Sequence, residues 1–173
     1  SASVGGPEVL VASVVKPTLD TAQIMYKHPN IKLLVCTGGP GVVKAVLSSG
    51  KKAIGAGAGN PPVIVDDTAD IVKAGKDIID GCCFDNNLPC IAEKEVFVLE
   101  NVKDALINEM LKNGAYKITK QEAEKLASVV LVDTKTKSGE VKKTISRDCV
   151  GRDAAVLLKK IDINVGEDIR CII

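Results

Sequence analysis

Ile31-Lys32-Leu33-Leu34-Val35-Cys36-Thr37-Gly38-Gly39-Pro40-Gly41-Val42-Val43-Lys44-Ala45-Val46-Leu47-Ser48 passes from an apolar run through a glycine turn into a second apolar segment. The first six residues predict a strand, and Val42 to about Ser48 predicts a helix with Pro40 suited to its first turn. A strand that feeds a glycine turn opening a helix is the βα unit of an α/β protein, and it offers bare N–H groups to a phosphate or a nicotinamide edge. The turn is not G-x-G-x-x-G, so a tight βα turn needing glycine for its dihedrals accounts for it equally well.

On the amino-terminal side, Val9 to Val15 is a β-branched run that predicts a strand. Pro17 and Thr18 punctuate it before Leu19, Ala22, Met25 and Tyr26 recur at helical intervals. His28 and Pro29 close that helix, and a histidine in the last turn is favoured by the helix dipole, so His28 reads as a capping residue. On the other side, side chains almost vanish from Gly55 to Gly59, a backbone that a ligand or another segment must approach closely. Val63 to Val65 predicts a short strand, with Asp66 and Asp67 as candidate N-caps. Ile71, Gly75, Ile78, Ile79 and Cys82 then trace the apolar face of a helix, opposite solvated Lys73, Lys76, Asp77 and Asp80.

Further on, Glu95 to Glu100 predicts a mostly buried strand, and Lys103 to Asn113 a helix with Leu106, Ile107 and Met110 inward and Gly114 as C-cap. Thr119-Lys120-Gln121-Glu122 is a capping box opening a helix to about Ser128, before a strand at Val129 to Val132. Asp133 to Lys143 is polar and reads as an exposed hairpin tip or loop turning at Ser138-Gly139; a helix at Asp153 to Lys160 and a closing strand at Ile169 to Ile173 follow. This alternation predicts a three-layer α/β architecture with a mostly parallel sheet.

At 173 residues and 46% apolar composition the chain has ample material for a core. The four aromatic residues, Tyr26, Phe84, Phe97 and Tyr116, give no base-stacking platform, and a net charge of +1 removes the electrostatic case for nucleic acid. No apolar run reaches the ~18 residues that span a bilayer. Six cysteines contain no C-x-x-C and the single His28 follows no zinc spacing, so no metal site is expected. Cys36 and Cys171 lie in apolar runs where buried reduced thiols are expected, pointing to a reducing compartment such as the cytoplasm. Strand patterns reach almost to both ends, which leads us to expect a fragment of a longer enzyme.

The reactive side chain in unusual company is Cys90, within Gly81-Cys82-Cys83-Phe84-Asp85-Asn86-Asn87-Leu88-Pro89-Cys90-Ile91-Ala92-Glu93-Lys94-Glu95. Asp85, Asn86, Asn87 and Pro89 cannot prolong the preceding helix, so Cys90 falls in an irregular loop between helix and strand. Unpaired backbone N–H groups in such a loop favour a thiolate and make a nucleophile. A small buried hydrophobe is the other reading, and spacing alone favours it. Cys82 and Cys83 end the helical pattern, where at least one is expected to face the core.

Three stretches together resemble the aldehyde dehydrogenase superfamily, in particular its CoA-acylating branch, which includes the propionaldehyde and acetaldehyde dehydrogenases of propanediol and ethanolamine utilisation. They are Lys27-His28-Pro29 through Cys36-Thr37-Gly38-Gly39-Pro40, Gly55 through Pro62 with Val63 and Asp66, and Phe84-Asp85-Asn86-Asn87-Leu88-Pro89-Cys90. The resemblance implies that residues 1–57 end a nucleotide-binding domain and residues 58–173 begin a catalytic domain. It implies Cys90 as the nucleophile, which attacks an aldehyde and passes hydride to a nicotinamide cofactor to leave a thioester. The Cys90 N–H would contribute to the oxyanion hole, Thr37, Gly38 and Gly39 match the cofactor-side turn, and Gly57 lies on the segment near the nicotinamide. Where hydrolytic relatives carry a glutamate base, this sequence has Ala56. Without a base to activate water, the thioester should persist until the CoA thiol arrives. The implied function is oxidation of a short aliphatic aldehyde to its acyl-CoA with NAD, NADP remaining open because the ribose-reading residue would lie upstream. The alternatives are a hydrolytic or phosphorylating relative and a non-catalytic scaffold of the same fold. A homo-oligomer and a place beside bacterial microcompartment shell proteins are implied by the resemblance alone.

Overall fold

The computed structural model describes residues 2–136 and 139–173, which divide into two compact units, Ser1–Ala58 and Gly59–Ile173. In the first unit, α1 (Leu19–Lys27) opens on Thr18, whose hydroxyl accepts from the Thr21 N–H at 3.1 Å while Thr21 Oγ1 accepts from the Thr18 N–H at 2.8 Å. His28 is its C-cap, as the sequence predicts, and Lys51 Nζ donates to the His28 carbonyl at 2.6 Å. β1 (Leu33–Thr37) runs parallel to β2 (Lys52–Ala56), with α2 (Pro40–Leu47) as the crossover. A Cβ at Gly55 would stand 2.9 Å from Val43 Cγ1, so the helix packs directly on the strand, with Val46 and Leu34 buried.

Val9 to Val15 forms no strand: the segment is turns and irregular chain, with Val9, Val11 and Val15 exposed. β-branched residues favour a strand only where a paired neighbour supplies a pleated surface to pack on, and among the described residues no strand pairs there.

In the second unit, β3 (Pro62–Val65) pairs in parallel with β4 (Glu95–Val98), with α3 (Ile71–Cys83) as the crossover and α4 (Glu100–Lys112) following β4. Val65, Ile78, Ile79, Leu106, Met110 and Ala115 form the core. Burial of each larger member contributes roughly 1.5–3 kcal/mol. The helices meet at Gly75, where a Cβ would lie 2.5 Å from Glu109 Cβ; the glycine is what permits that approach. β4 is not the mostly buried strand expected. Val96 and Val98 pack on the core while Phe97 stays 58% exposed, because among the described residues the helices cover one face of the pair.

The N-cap of α3 is Asp70, whose carboxylate accepts from the Lys73 N–H at 3.1 Å, and not Asp66 or Asp67. Asp66 instead closes a local turn, accepting from the Thr68 N–H at 3.0 Å and hydroxyl at 2.7 Å, the competition with helical bonding that aspartate favours. The capping box at Thr119 and Glu122 opens α5 (Lys120–Val130) as expected. The helix carries through Val129 and Val130, so the strand expected there begins at Leu131. β6 (Leu131–Lys135) and β7 (Val141–Ile145) form an exposed antiparallel hairpin, and Ser138 of its expected turn lies outside the described residues. β5 (Ala115–Tyr116), too short to carry a periodic signal, pairs in parallel with β8 (Cys171–Ile172), the part of the closing run that is strand; α6 (Ala154–Lys159) lies between them in sequence.

Ile79, fully buried, and Ile64, 80% exposed on β3, make a paired test of this core. Ile79→Ala should lower unfolding stability by about 2–5 kcal/mol and Ile64→Ala by no more than ~0.5 kcal/mol in urea titrations. Equal losses would contradict a one-sided sheet.

Candidate active site

Cys90 stands after a turn that few sequences can make. Asp85, Asn86 and Asn87 take φ of 47°, 49° and 61°, three successive residues in the left-handed region. Asp and Asn enter that region more readily than other side-chain-bearing residues because their short polar groups bond locally. The cost of about 1–2 kcal/mol per residue is offset by side-chain hydrogen bonds. Asn87 Nδ2 donates to the Cys82 carbonyl at 2.7 Å and the Glu93 carbonyl at 2.9 Å, tying the end of α3 to the far side of the loop. Asn86 Nδ2 donates to the Gly151 carbonyl at 3.1 Å and Asp153 Oδ1 at 2.8 Å. Lys94 Nζ donates to Asn87 Oδ1 and reaches the Pro89 carbonyl at 3.1 Å.

The reversal swings the chain from α3 into residues 88–94, where Ala92 is buried and Cys90 is exposed. That exposure removes the buried-hydrophobe reading of Cys90. The glycine-rich segment meets this loop from the side: a Cβ at Gly59 would lie 2.4 Å from the Cys90 carbonyl oxygen. The approach of a second segment, one of the two causes expected for the missing side chains, thus holds at Gly59. Beyond it the Lys94 N–H donates to the Pro61 carbonyl at 3.1 Å and Asn60 Nδ2 to Glu95 Oε1 at 2.7 Å, carrying the β3–β4 pairing up to the loop.

Thr37, Gly38, Gly39 and Gly57 come together in the first unit, at the carboxyl ends of the parallel pair. Thr37 is in register with Ala56, and the Gly38 N–H donates to the Ala56 carbonyl at 3.0 Å. Apart from the glycine and its chain neighbours, no described heavy atom lies within 4 Å of where a Cβ would stand on Gly39 or Gly57, so the backbone there is open. Thr37 stands at the strand end and Gly39 is the N-cap of α2. Ala56 ends β2 with an exposed methyl.

The remaining thiols are arranged in a way their spacing does not show. Cys36 and Cys171 are half-buried and not enclosed, since each belongs to a two-stranded pair. Cys171 lies beside Cys82 and Cys83, and all three sulfurs fall within 4.8 Å of one another. A hydrogen bond from the Cys171 thiol, outweighing burial, lowers the Cys82 pKa to about 7. Burial and the neighbouring Cys82 push Cys83 up to about 11, and donation to Cys82 together with burial raises Cys171 further. The adjacent pair Cys82-Cys83 was the one visible signal, and its partner stands almost ninety residues away.

Comparison with known proteins gives a consistent result. The aldehyde dehydrogenase family model matches residues 1–158. The chain is 47% identical over 156 residues to the propanal dehydrogenase (CoA-propanoylating) of Citrobacter freundii, an alignment covering 90% of this chain and 32% of that protein. Among solved structures it is similar to a propionaldehyde dehydrogenase from the Clostridium phytofermentans fucose utilisation bacterial microcompartment, at 55% identity and a TM-score of 0.82 over 99% of this chain and 38% of that one. It is also similar to the Rhodopseudomonas palustris propionaldehyde dehydrogenase with bound CoA and an acylated cysteine, at 49% identity and a TM-score of 0.80 over 99% of this chain and 37% of that one. The chain spans about a third of the length of the curated propanal and acetaldehyde dehydrogenases it matches.

Two measurements probe this geometry. Asn87→Asp keeps the side chain's size but turns a donor into an acceptor facing two carbonyls, so urea unfolding should show a loss of roughly 2–3 kcal/mol. A change under ~0.5 kcal/mol would mean that the turn is held by something else. A lowered pKa leaves Cys82 increasingly ionised above pH 7 while Cys83 stays protonated to about pH 11. Peptide mapping after iodoacetamide should therefore find Cys82 alkylation rising through neutral pH, well before Cys83.

Proposed function

The chain belongs to the aldehyde dehydrogenase family, and from that membership we propose that it carries the nucleophile of a CoA-acylating aldehyde dehydrogenase, acting on a short aliphatic aldehyde such as propionaldehyde or acetaldehyde. The observation that carries the reading is Cys90 itself, exposed at the tip of a loop pinned on both sides by Asn87. A thiol held there can reach a substrate without rearrangement of the core.

In the reaction we propose, the Cys90 thiolate adds to the aldehyde carbonyl, giving a thiohemiacetal whose oxyanion the Cys90 N–H helps to hold. When bound, the nicotinamide cofactor, NAD in this proposal, accepts hydride from that adduct. Cys90 is left as a thioester. The CoA thiolate then attacks the acyl carbon, the Cys90 sulfur leaves, and the product is acyl-CoA. Residues 1–57, with Thr37, Gly38, Gly39 and Gly57, are assigned to the cofactor side, and residues 58–173, with Cys90, to the catalytic side. Support for the first assignment is the open backbone at Gly39 and Gly57.

Ala56 favours transfer to CoA over hydrolysis, because it supplies no carboxylate where the resemblance aligns a base. The acylated cysteine of the R. palustris relative favours the same course. No helix among the described residues is long and apolar enough to cross a membrane. The microcompartment origin of the C. phytofermentans relative supports a bacterial microcompartment as the setting, and a cytoplasmic location, shell-protein neighbours and a homo-oligomer are proposed from the family resemblance alone.

The test is intact mass of the full-length protein after incubation with propionaldehyde and NAD in the absence of CoA. A propionyl adduct should form, be discharged by CoA, and be absent from Cys90→Ser, whose turnover should fall by ~10⁴-fold or more. Acid released equally fast without CoA would instead make the enzyme hydrolytic.

A further inference from the structure

We propose that Cys82, Cys83 and Cys171 form a binding site for one soft, thiophilic metal ion of the zinc type, distinct from the Cys90 loop tip. Two elements far apart in sequence supply it: the last turn of α3 gives Cys82 and Cys83, and the first residue of β8 gives Cys171. The two sulfurs of the adjacent pair are 3.8 Å apart, and all three lie within 4.8 Å of one another. Zn–S bonds of about 2.3 Å at tetrahedral angles put ligand sulfurs ~3.8 Å apart. One edge of that tetrahedron is therefore already present, and the remaining two edges need to shorten by no more than about 1 Å.

The surroundings suit a metal thiolate as well as a set of free thiols. The three cysteines line a cavity of about 560 Å³ together with Glu93 and Arg170. Three thiolates around a divalent ion carry one net negative charge and Glu93 adds another to the cavity, while the Arg170 guanidinium, shared with Asp80, is the cation that faces them. That guanidinium is held by Asp80 at 2.7 Å, and the Arg170 N–H donates to the Gly114 carbonyl at 2.7 Å, so β8 is already anchored against α3 where Cys171 must stand. Each thiol is half-buried, so an ion can enter from solvent and the fourth coordination position is left to water. Binding replaces three S–H bonds by three S–metal bonds and releases the displaced protons to the buffer, with no change of oxidation state.

Placement gives the site a consequence. The Cys82 carbonyl accepts the Asn87 hydrogen bond that pins the Cys90 loop, so an ion on Cys82 and Cys83 stiffens the end of α3 to which that loop is tied. The inference rests on the position of the three thiols and not on the proposed activity, so either can fail alone.

The experiment titrates the reduced full-length protein with Co²⁺ and then Zn²⁺. One equivalent of Co²⁺ should produce the intense near-ultraviolet thiolate-to-cobalt band, and Zn²⁺ should bleach it. Cys171→Ser and Cys82→Ser should each weaken binding by roughly 100-fold, whereas Cys36→Ser and Cys90→Ser should leave it unchanged. Circular dichroism confirms that each variant is folded. As an independent readout on the unmutated chain, Zn²⁺ should slow iodoacetamide labelling of Cys82, Cys83 and Cys171 by at least ~10-fold without slowing Cys36. No band from the reduced chain, a band that survives Cys171→Ser, or protection confined to Cys90 would each overturn the proposal. So would a two-hydrogen mass loss mapping to a disulfide among the three thiols with no metal uptake by the reduced form.

Discussion

The hydrogen bonds from the Asn87 amide to the Cys82 and Glu93 carbonyls are the interaction on which the candidate site depends. They join the last turn of a helix to the approach of a strand across a reversal that the backbone would not otherwise hold. Three residues in the left-handed region cost several kcal/mol together, and only a network that satisfies the freed polar groups sustains them. Asn86 extends that network to Gly151 and Asp153, and Lys94 closes it through Asn87 Oδ1. Cys90 is thus exposed beside a turn held by side-chain hydrogen bonds, the placement that the proposed nucleophile needs.

Helix packing sets where that support stands. Gly75 lets α3 lie against α4 at Glu109, and Ile78 and Ile79 carry the contact to Leu106 and Met110. The direction of α3 determines where its last turn ends, and with it the position of Cys82 and Cys83. Arg170 repeats this logic from the other end of the unit, fixing β8 to Asp80 on the same helix. Loop and thiol cluster therefore share one structural member.

Much of this is legible in the sequence because local chemistry dictates it. Glycines after an apolar run, proline in a first turn, the Thr119–Glu122 capping box and the Asp-Asn-Asn interruption each act within a few residues and need no distant partner. The Cys90 loop is legible in the same way, from what its neighbours cannot do. Readings that needed a distant partner fared otherwise. Val9 to Val15 has strand propensity without a paired strand, Asp66 satisfies a local turn before it can cap a helix, and Phe97 is apolar on a face that no described element covers.

By itself, then, the sequence determined the alternating α/β order, the capping box that opens α5 and the break in the helix before Cys90, because propensity, capping and turn chemistry are written in adjacent residues. Only the tertiary structure decided that Gly59 lies against the Cys90 carbonyl, that one face of β4 is buried, and that Cys171 joins Cys82 and Cys83. Those facts come from packing between segments up to ninety residues apart, and no local pattern encodes which distant surface a segment will meet.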